Sequence, residues 1–365
     1  MADAFACSVL ISTAPTPRLW TWPIEETLKS LVRHAPMLLR ETMTVAFDGA
    51  DVTLKQPRVG RAAAWDQPMT SSGPPTAFWG EKCSTPANAT AYEEHKVLIK
   101  ELVRGIVPKV QFVEASARLC LAGSLRHAMR VAVRTPFVLV MQSDMPLTRQ
   151  LEATLPPLLS MMAARKIAAV WFALGENHCH ANLAPTVCIK NRANTGKASP
   201  SLEMEDWPVQ AETDILEYLH LTPIRMWSDN NHIASTRFYR DVAWPTYHQH
   251  ELADAAGTMN FVPRARKAGV GGIGRGAGFP EFYLFCEPFK NHSKWRTYLL
   301  GSPCDGRWVK HLDGRKALGK GHPTVRHLCE ASRYRSKSRR NMSSCGLWTI
   351  DSTWVPFIDN GTFHV

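Results

Sequence analysis

The chain has 365 residues, 45% of them hydrophobic and 21% charged, with a formal net charge of +11. That balance excludes a disordered chain, which would be poorer in apolar residues and richer in charge. The length fits two domains or one enlarged α/β domain, and no apolar stretch reaches the roughly 20 residues that cross a bilayer.

Taken in order, the first 175 residues alternate between two periodicities. Short apolar runs predict strands at Ser8–Ser12, Met43–Phe47, Val110–Val113, Phe137–Met141 and Ile167–Leu174. Helical spacing predicts helices over Ile24–Leu39, Tyr92–Arg104, Ala122–Val133 and Gln150–Arg165. Between them Gln56–Ala89 is rich in Pro, Gly and Ser and reads as a long surface loop. Strands alternating with helices predict βαβ units and a mostly parallel sheet covered on both faces. Beyond Gly175 the pattern loosens. Asn177–Asp206 is polar and irregular, and Asn230–Asp241 reads as a helix with Asp229 as its N-cap. Gly269–Gly278 holds six glycines in ten residues and predicts a mobile loop, followed by an aromatic-rich helix over Pro280–Phe289.

Met1–Thr13 has neither a basic region nor a long apolar core, which argues against a cleaved secretory signal. The nine cysteines contain no Cys-x-x-Cys pair, so reduced thiols and a cytoplasmic setting are expected. The charge is uneven. Between Asn291 and Arg340 stand 13 Lys and Arg against Asp305, Asp313 and Glu330, nearly the whole positive surplus. Such a segment is either a solvated basic tail or a surface for polyanions: nucleic acid, anionic lipid headgroups or a nucleotide diphosphate.

In open parallel sheets, ligands bind beyond the carboxyl ends of the strands. The informative residues there are Asp48-Gly49-Ala50-Asp51 after the second strand and Gln142-Ser143-Asp144 after the fourth. A carboxylate in this position is a turn residue, or it receives a base N–H, a ribose hydroxyl or a hard divalent cation. Lys310-His311-Leu312-Asp313-Gly314-Arg315 is a further candidate, in which a neutral His could complete a metal site and the basic side chains neutralise diphosphate. Its alternative is a surface turn at Asp313-Gly314. Three other signals are weak. Gly269–Gly274 matches the dinucleotide fingerprint literally, but no strand precedes it. His178, Cys179, His180 and Cys188 fit no standard zinc spacing. Trp227, Phe238 and Tyr239 could stack on sugar rings, although such aromatics more often pack a core.

Together, Ser12-Thr13-Ala14-Pro15, Glu25–Leu31, Phe47-Asp48-Gly49, Ala122–Ala128 and Thr135–Asp144 resemble the nucleotide-sugar domain of inverting glycosyltransferases of the family-2 type. The resemblance is strongest over residues 5–175 and looser through Trp227–Tyr239 and Pro280–Arg315. It implies the Rossmann-like α/β fold of A-type glycosyltransferases, with a nucleotide-sugar-binding half at 1–175 and an acceptor-facing half at 176–320. A basic, Trp-containing extension at 321–365 would follow. The resemblance further implies that Thr13, Pro15, Asp48, Arg118, Gln142, Ser143 and Asp144 bind the nucleotide-diphosphate sugar, with Asp48 on the base. Asp144 would be the metal-binding end of an Asp-x-Asp motif, joined by His311 on Mn²⁺ or Mg²⁺. Gln142 stands where that motif has its first Asp; an amide oxygen can meet a ribose hydroxyl or a metal but brings no charge. Glu281 matches the family's general base, which opens a helix after a flexible acceptor loop, with Glu287 and Asp229 in reserve; a first-turn acid on a helix dipole is its structural alternative.

The function these residues point to is sugar transfer with inversion to a glycan, lipid or protein hydroxyl. The basic segment would allow peripheral contact with an anionic membrane. Two alternatives stand beside it. A nucleotidyltransferase would need a Gly-rich basic signature after the first strand, where Ser12-Thr13-Ala14-Pro15 is found. A non-catalytic polyanion or nucleic-acid binder would account for the basic segment, but no RNA-binding aromatic signature or zinc-finger spacing accompanies it, so no specific nucleic acid is expected.

Overall fold

The computed structural model describes residues 5–13, 21–49, 86–116, 119–173, 219, 221–224, 227–255, 280–284, 287–301 and 307–312. The fold is α/β, built on an eight-stranded sheet in the order β3-β2-β1-β4-β7-β5-β8-β6. The strands are β1 Cys7–Thr13, β2 Met43–Phe47, β3 Val110–Glu114, β4 Phe137–Gln142, β5 Ala169–Phe172, β6 Leu221–Pro223, β7 His232–Ser235 and β8 Thr297–Leu300. β1, β2, β3 and β4 are mutually parallel, β7 runs antiparallel between β4 and β5, β8 is parallel to β5, and β6 is antiparallel at the edge. Strands from before and after residue 175 therefore share one sheet.

The apolar runs become strands because this sheet is covered on both sides, so every residue of β1 and β2 is buried. The main helices are α1 Trp22–His34, α2 Pro86–Ile106, α3 Cys120–Val131 and α4 Leu155–Ala163. In α1, Ile24, Leu28 and Leu31 form one apolar stripe. Pro23 opens that helix, Glu25 lies in its first turn, and Arg33 and His34 lie in its last, each suited to the dipole. The chain steps from β1 to β2 to β3 in one direction, then α3 carries it back to β4 beside β1. Right-handed crossovers put α1 and α2 on one face and α3 on the other. The switch in direction falls between β1 and β4, and their register brings Ser12 opposite Gln142.

Several predicted elements differ: the first helix stops at His34 and Pro36–Arg40 is a separate 3-10 turn, and the helix predicted from Gln150 starts at Leu155. Asn230–Asp241 is not one helix capped by Asp229. His232–Ser235 is strand β7, and helix begins at Thr236, where the Ser235 hydroxyl accepts the Phe238 N–H at 3.0 Å. The reason is tertiary: Ile233 and Ala234 are fully buried between β4 and β5, a slot that only extended backbone can fill. Tyr239–Ala243 then forms a π-helical turn leading into Trp244–Ala255. The predicted helix over Pro280–Phe289 contains two short helices, Pro280–Leu284 and Glu287–Lys290. At the other end of the predicted loop, Pro86–Ala89 already belongs to α2. The glycine-rich segment and the His178–Cys188 group lie outside the described residues.

Candidate functional site

β4 delivers Asp144 at the switch point. Gln142–Met145 closes as a turn, with the Met145 N–H donating to the Gln142 carbonyl at 3.2 Å. Buried backbone polar groups need partners, and here they come from three directions. From β1, the Ser12 carbonyl accepts the Ser143 N–H at 3.2 Å. From α1, the buried Thr27 hydroxyl donates to the Ser143 carbonyl at 3.0 Å, and Ser30 Oγ accepts the Leu147 N–H at 2.9 Å. From the segment before β7, the fully buried Asn231 accepts the Gln142 N–H through Oδ1 at 2.9 Å and donates to the Met145 carbonyl through Nδ2 at 2.6 Å.

The segment 307–312 runs alongside this turn. Thr148 N–H donates to the Trp308 carbonyl at 2.9 Å, Lys310 N–H to the Pro146 carbonyl at 3.0 Å, and Leu312 N–H to the Asp144 carbonyl at 2.9 Å. Trp308 itself is anchored by its N–H on the Ala173 carbonyl at 2.8 Å. Gly301, at φ 101°, lets the chain pass the Trp308 indole: a Cβ there would lie 2.5 Å from Nε1. The result brings His311 Nε2 to 3.1 Å from Asp144 Oδ2, with both side chains still partly exposed at 36% and 23%. A carboxylate beside an imidazole offers one oxygen and one nitrogen donor, of the kinds divalent transition-metal ions accept. Among the described residues no group of three or more His, Cys, Asp or Glu is gathered for a metal.

Gln142 has a specific local task. Its Nε2 donates to the Asp229 carbonyl at 2.7 Å. A carboxylate at this position would have no proton to offer that carbonyl, so this bond requires the amide.

Asp48 follows β2 and is buried. Its Oδ1 accepts the Gly49 N–H at 3.0 Å and the Leu119 N–H at 2.7 Å, so it ties the end of β2 to the start of α3. Its backbone N–H meets the Thr13 carbonyl at 3.0 Å, and its carbonyl accepts the Tyr92 hydroxyl at 2.9 Å. Nearby, Glu114 at the end of β3 binds Lys96 at 2.7 Å and also binds Lys100, and these ammonium groups hold its carboxyl below its ordinary value. Pro15 and Arg118 lie outside the described residues.

Glu281 is in the helix Pro280–Leu284. Both reserve carboxylates are engaged: Glu287 Oε1 lies 2.9 Å from His250 Nε2, and Asp229 Oδ1 accepts the Trp227 indole N–H at 3.1 Å. Trp227, Phe238 and Tyr239 are buried, packed with Trp171, His232 and Trp295. They are core, not a sugar platform. In this core the His232 Nδ1–H donates to the Asn230 carbonyl at 2.6 Å, which leaves Nε2 to accept from the Tyr239 hydroxyl. Burial pushes its pKa down to about 4 and pushes that of Tyr239 up, the latter helped by Asp229.

Sequence reasoning missed Thr27, Ser30 and Asn231. Thr27 and Ser30 are polar residues on the apolar face of α1, and that misplacement was their signal. Asn231 had no such signal, because the segment containing it and the strand that follows was read as one helix.

No protein-family model matches the chain, and no curated protein sequence matches it significantly. Solved structures do match. A mannosyltransferase from Pyrobaculum calidifontis, in complex with GDP-Man and Mn²⁺, is 14% identical at a TM-score of 0.27. That match covers 46% of this chain and 35% of the other. Mouse xyloside xylosyltransferase 1 is 11% identical at a TM-score of 0.34, covering 80% of this chain and 84% of the other. GalNAc-T7, with UDP, GalNAc and Mn²⁺, is 10% identical at 0.39, covering 88% and 45%. The chain thus spans about a third of the mannosyltransferase and under half of GalNAc-T7. No helix among the described residues is long and apolar enough to cross a membrane.

Proposed function

We propose that the protein is a glycosyltransferase that moves a sugar from a nucleotide-diphosphate sugar to an acceptor hydroxyl with inversion. One observation carries this reading: Asp144 and His311 meet at the carboxyl edge where β1 and β4 diverge, the place where open parallel sheets bind their ligands. Asp144 and His311 would hold a divalent cation, Mn²⁺ or Mg²⁺, which when bound neutralises charge on the diphosphate. The chain's own residues do the rest. Asp48, Thr13 and the Gln142–Asp144 turn border the nucleotide sugar. The acceptor oxygen attacks the anomeric carbon as the bond to the diphosphate oxygen breaks; the nucleoside diphosphate leaves and Glu281 takes the acceptor's proton. The basic segment 321–365 would place the enzyme at an anionic surface.

The test incubates the full chain with UDP- and GDP-sugars, with Mn²⁺ or a chelator, and follows thermal stabilisation, nucleoside diphosphate release and product anomeric configuration. Stabilisation and release by a nucleotide sugar, with an inverted product, are expected. Glu281→Gln should lower turnover by about 10²–10⁴-fold with donor affinity nearly unchanged. A retained configuration, or stabilisation by polyanions and by no nucleotide sugar, would remove this function. Formation of a nucleotide sugar from a nucleoside triphosphate and a sugar phosphate would replace it with nucleotidyl transfer.

A further inference from the structure

We propose that Asn231 is a positioning residue that sets the Asp144 carboxylate against His311 by clamping both ends of the turn that carries it. The proposal deepens the glycosyltransferase reading but its geometry does not depend on it. Among the described residues, Asn231 is the one side chain bonded to both the first and last residues of Gln142–Met145, accepting from the Gln142 N–H and donating to the Met145 carbonyl. It is 0% exposed, so its own amide has no water to bond in place of these two groups. The clamp is directional: one end needs an acceptor and the other a donor, which a carboxamide supplies and a carboxylate cannot. Gln142 completes it from the opposite side through its bond to the Asp229 carbonyl, so residues 229–231 and the turn hold each other by three hydrogen bonds. Asn231 is also fixed in the sheet, its carbonyl accepting the Phe172 N–H at 2.9 Å. The loop bearing Asp144 is thereby tied to the sheet at β5.

A bond between partly exposed side chains such as Asp144 and His311 survives only if the backbone beneath them is held to a fraction of an ångström. Thr27 and Ser12 grip the middle of the turn, yet they act on Ser143 alone. Without Asn231, the turn is left with a part-buried donor at Gln142 and a buried acceptor at Met145 unpaired. Relaxation of those ends shifts the turn that carries Asp144, against the bond from Leu312 N–H to the Asp144 carbonyl.

The test reads the ligand-free full chain first. The imidazole ¹⁵N resonances of His311, assigned through His311→Gln, report its bond to Asp144. In Asn231→Ser, which keeps an acceptor for Gln142 and drops the reach to Met145, those resonances should move to their position in Asp144→Ala. Unchanged resonances in a folded Asn231→Ser overturn the proposal, whatever the protein's substrate. Asn231→Asp, nearly the same shape but without the donor, should behave in the same way and serves if the serine variant does not fold. If neither variant folds, Asn231 supports the core and the proposal falls. The second reading is Mn²⁺-dependent binding of UDP and GDP, followed by indole fluorescence. Asn231→Ser should weaken it tenfold or more in the wild-type background and less than twofold in Asp144→Ala. Equal losses in both backgrounds would mean that Asn231 does not act through Asp144. If the wild type itself binds no nucleotide, the enzymatic reading fails while the imidazole measurement still decides this one.

Discussion

Asp144 and His311 stand 167 residues apart in the chain, yet a 3.1 Å hydrogen bond joins them at the carboxyl edge of the sheet. The contact is built by backbone: the strand-like pairing of 307–312 with the residues after β4 leaves His311 one position short of the Leu312–Asp144 bond. An isolated bridge between Leu147 and Val309 fixes the same register.

Asp144→Asn is the first prediction. The amide keeps the shape and an acceptor oxygen for His311 but removes the charge, so circular dichroism and urea midpoint should change little. Sugar transfer should fall by orders of magnitude. His311→Ala should weaken Mn²⁺-dependent nucleotide binding by about 10- to 100-fold, the range seen when a group supporting a bound metal is lost. Titration calorimetry showing wild-type affinity in both variants would take the pair out of the site.

How much of this was legible in the sequence can be judged residue by residue. β1, β2 and β4 were readable because buried parallel strands are continuous apolar runs, whereas β3 is a half-buried edge strand whose Val110, Phe112 and Val113 still mark it; the position of Asp144 was readable because it follows β4. His311 was proposed on residue type and on the family resemblance; its meeting with Asp144 depends on a pairing with no local signature. β7 was misread, since Asn230–Asp241 satisfies a helical period and only the slot between β4 and β5 decides otherwise. That error hid Asn231.

Gln142→Asp gives the second prediction. It installs the charge usual in the Asp-x-Asp motif, yet it should not improve metal binding. The shorter carboxylate loses the bond to the Asp229 carbonyl and sets two acceptors against each other. A loss of about 1–3 kcal/mol is expected for an acceptor left unpaired in a part-buried place, read as a lower urea midpoint. Tighter Mn²⁺ binding with unchanged stability would show that the amide is not the strut described here.

Acid should destabilise the fold well above the carboxylate range. His232 and His95 are buried, and burial lowers each to about 4 from an ordinary 6.5. As pH falls below 6.5, the unfolded chain takes up protons at these rings while the native fold does not, so stability present above 6.5 drains away towards pH 4. For His232 this is on the order of 3 kcal/mol. Glu114, held low by Lys100 and Lys96, adds its loss in a lower window, beneath its ordinary 4.5. Among the described residues the buried His95 Nδ1 has no hydrogen-bond partner, so His95→Phe should raise the urea midpoint more at pH 5 than at pH 8. An equal rise at both would show that His95 titrates alike in the folded and unfolded chain.

Asp48 calls for a substitution that separates its two tasks. Asp48→Ala would leave the buried N–H of Gly49 and the part-buried N–H of Leu119 without their shared acceptor, at a cost of roughly 1–3 kcal/mol. Lost nucleotide binding in that variant could therefore follow from a loosened junction between β2 and α3. Asp48→Asn keeps an oxygen for both amides and changes only the charge and the second oxygen. If Asp48 reads the base, Asp48→Asn should fold as the wild type does and alter the ratio of UDP to GDP affinity by tenfold or more, because a site built on a hydrogen bond rejects partners that cannot make it. Competition binding of the two nucleotides measures this directly. An unchanged ratio in the folded Asn variant, with the Ala variant destabilised, would leave Asp48 as the tie between β2 and α3 and return base recognition to other residues at the end of β1.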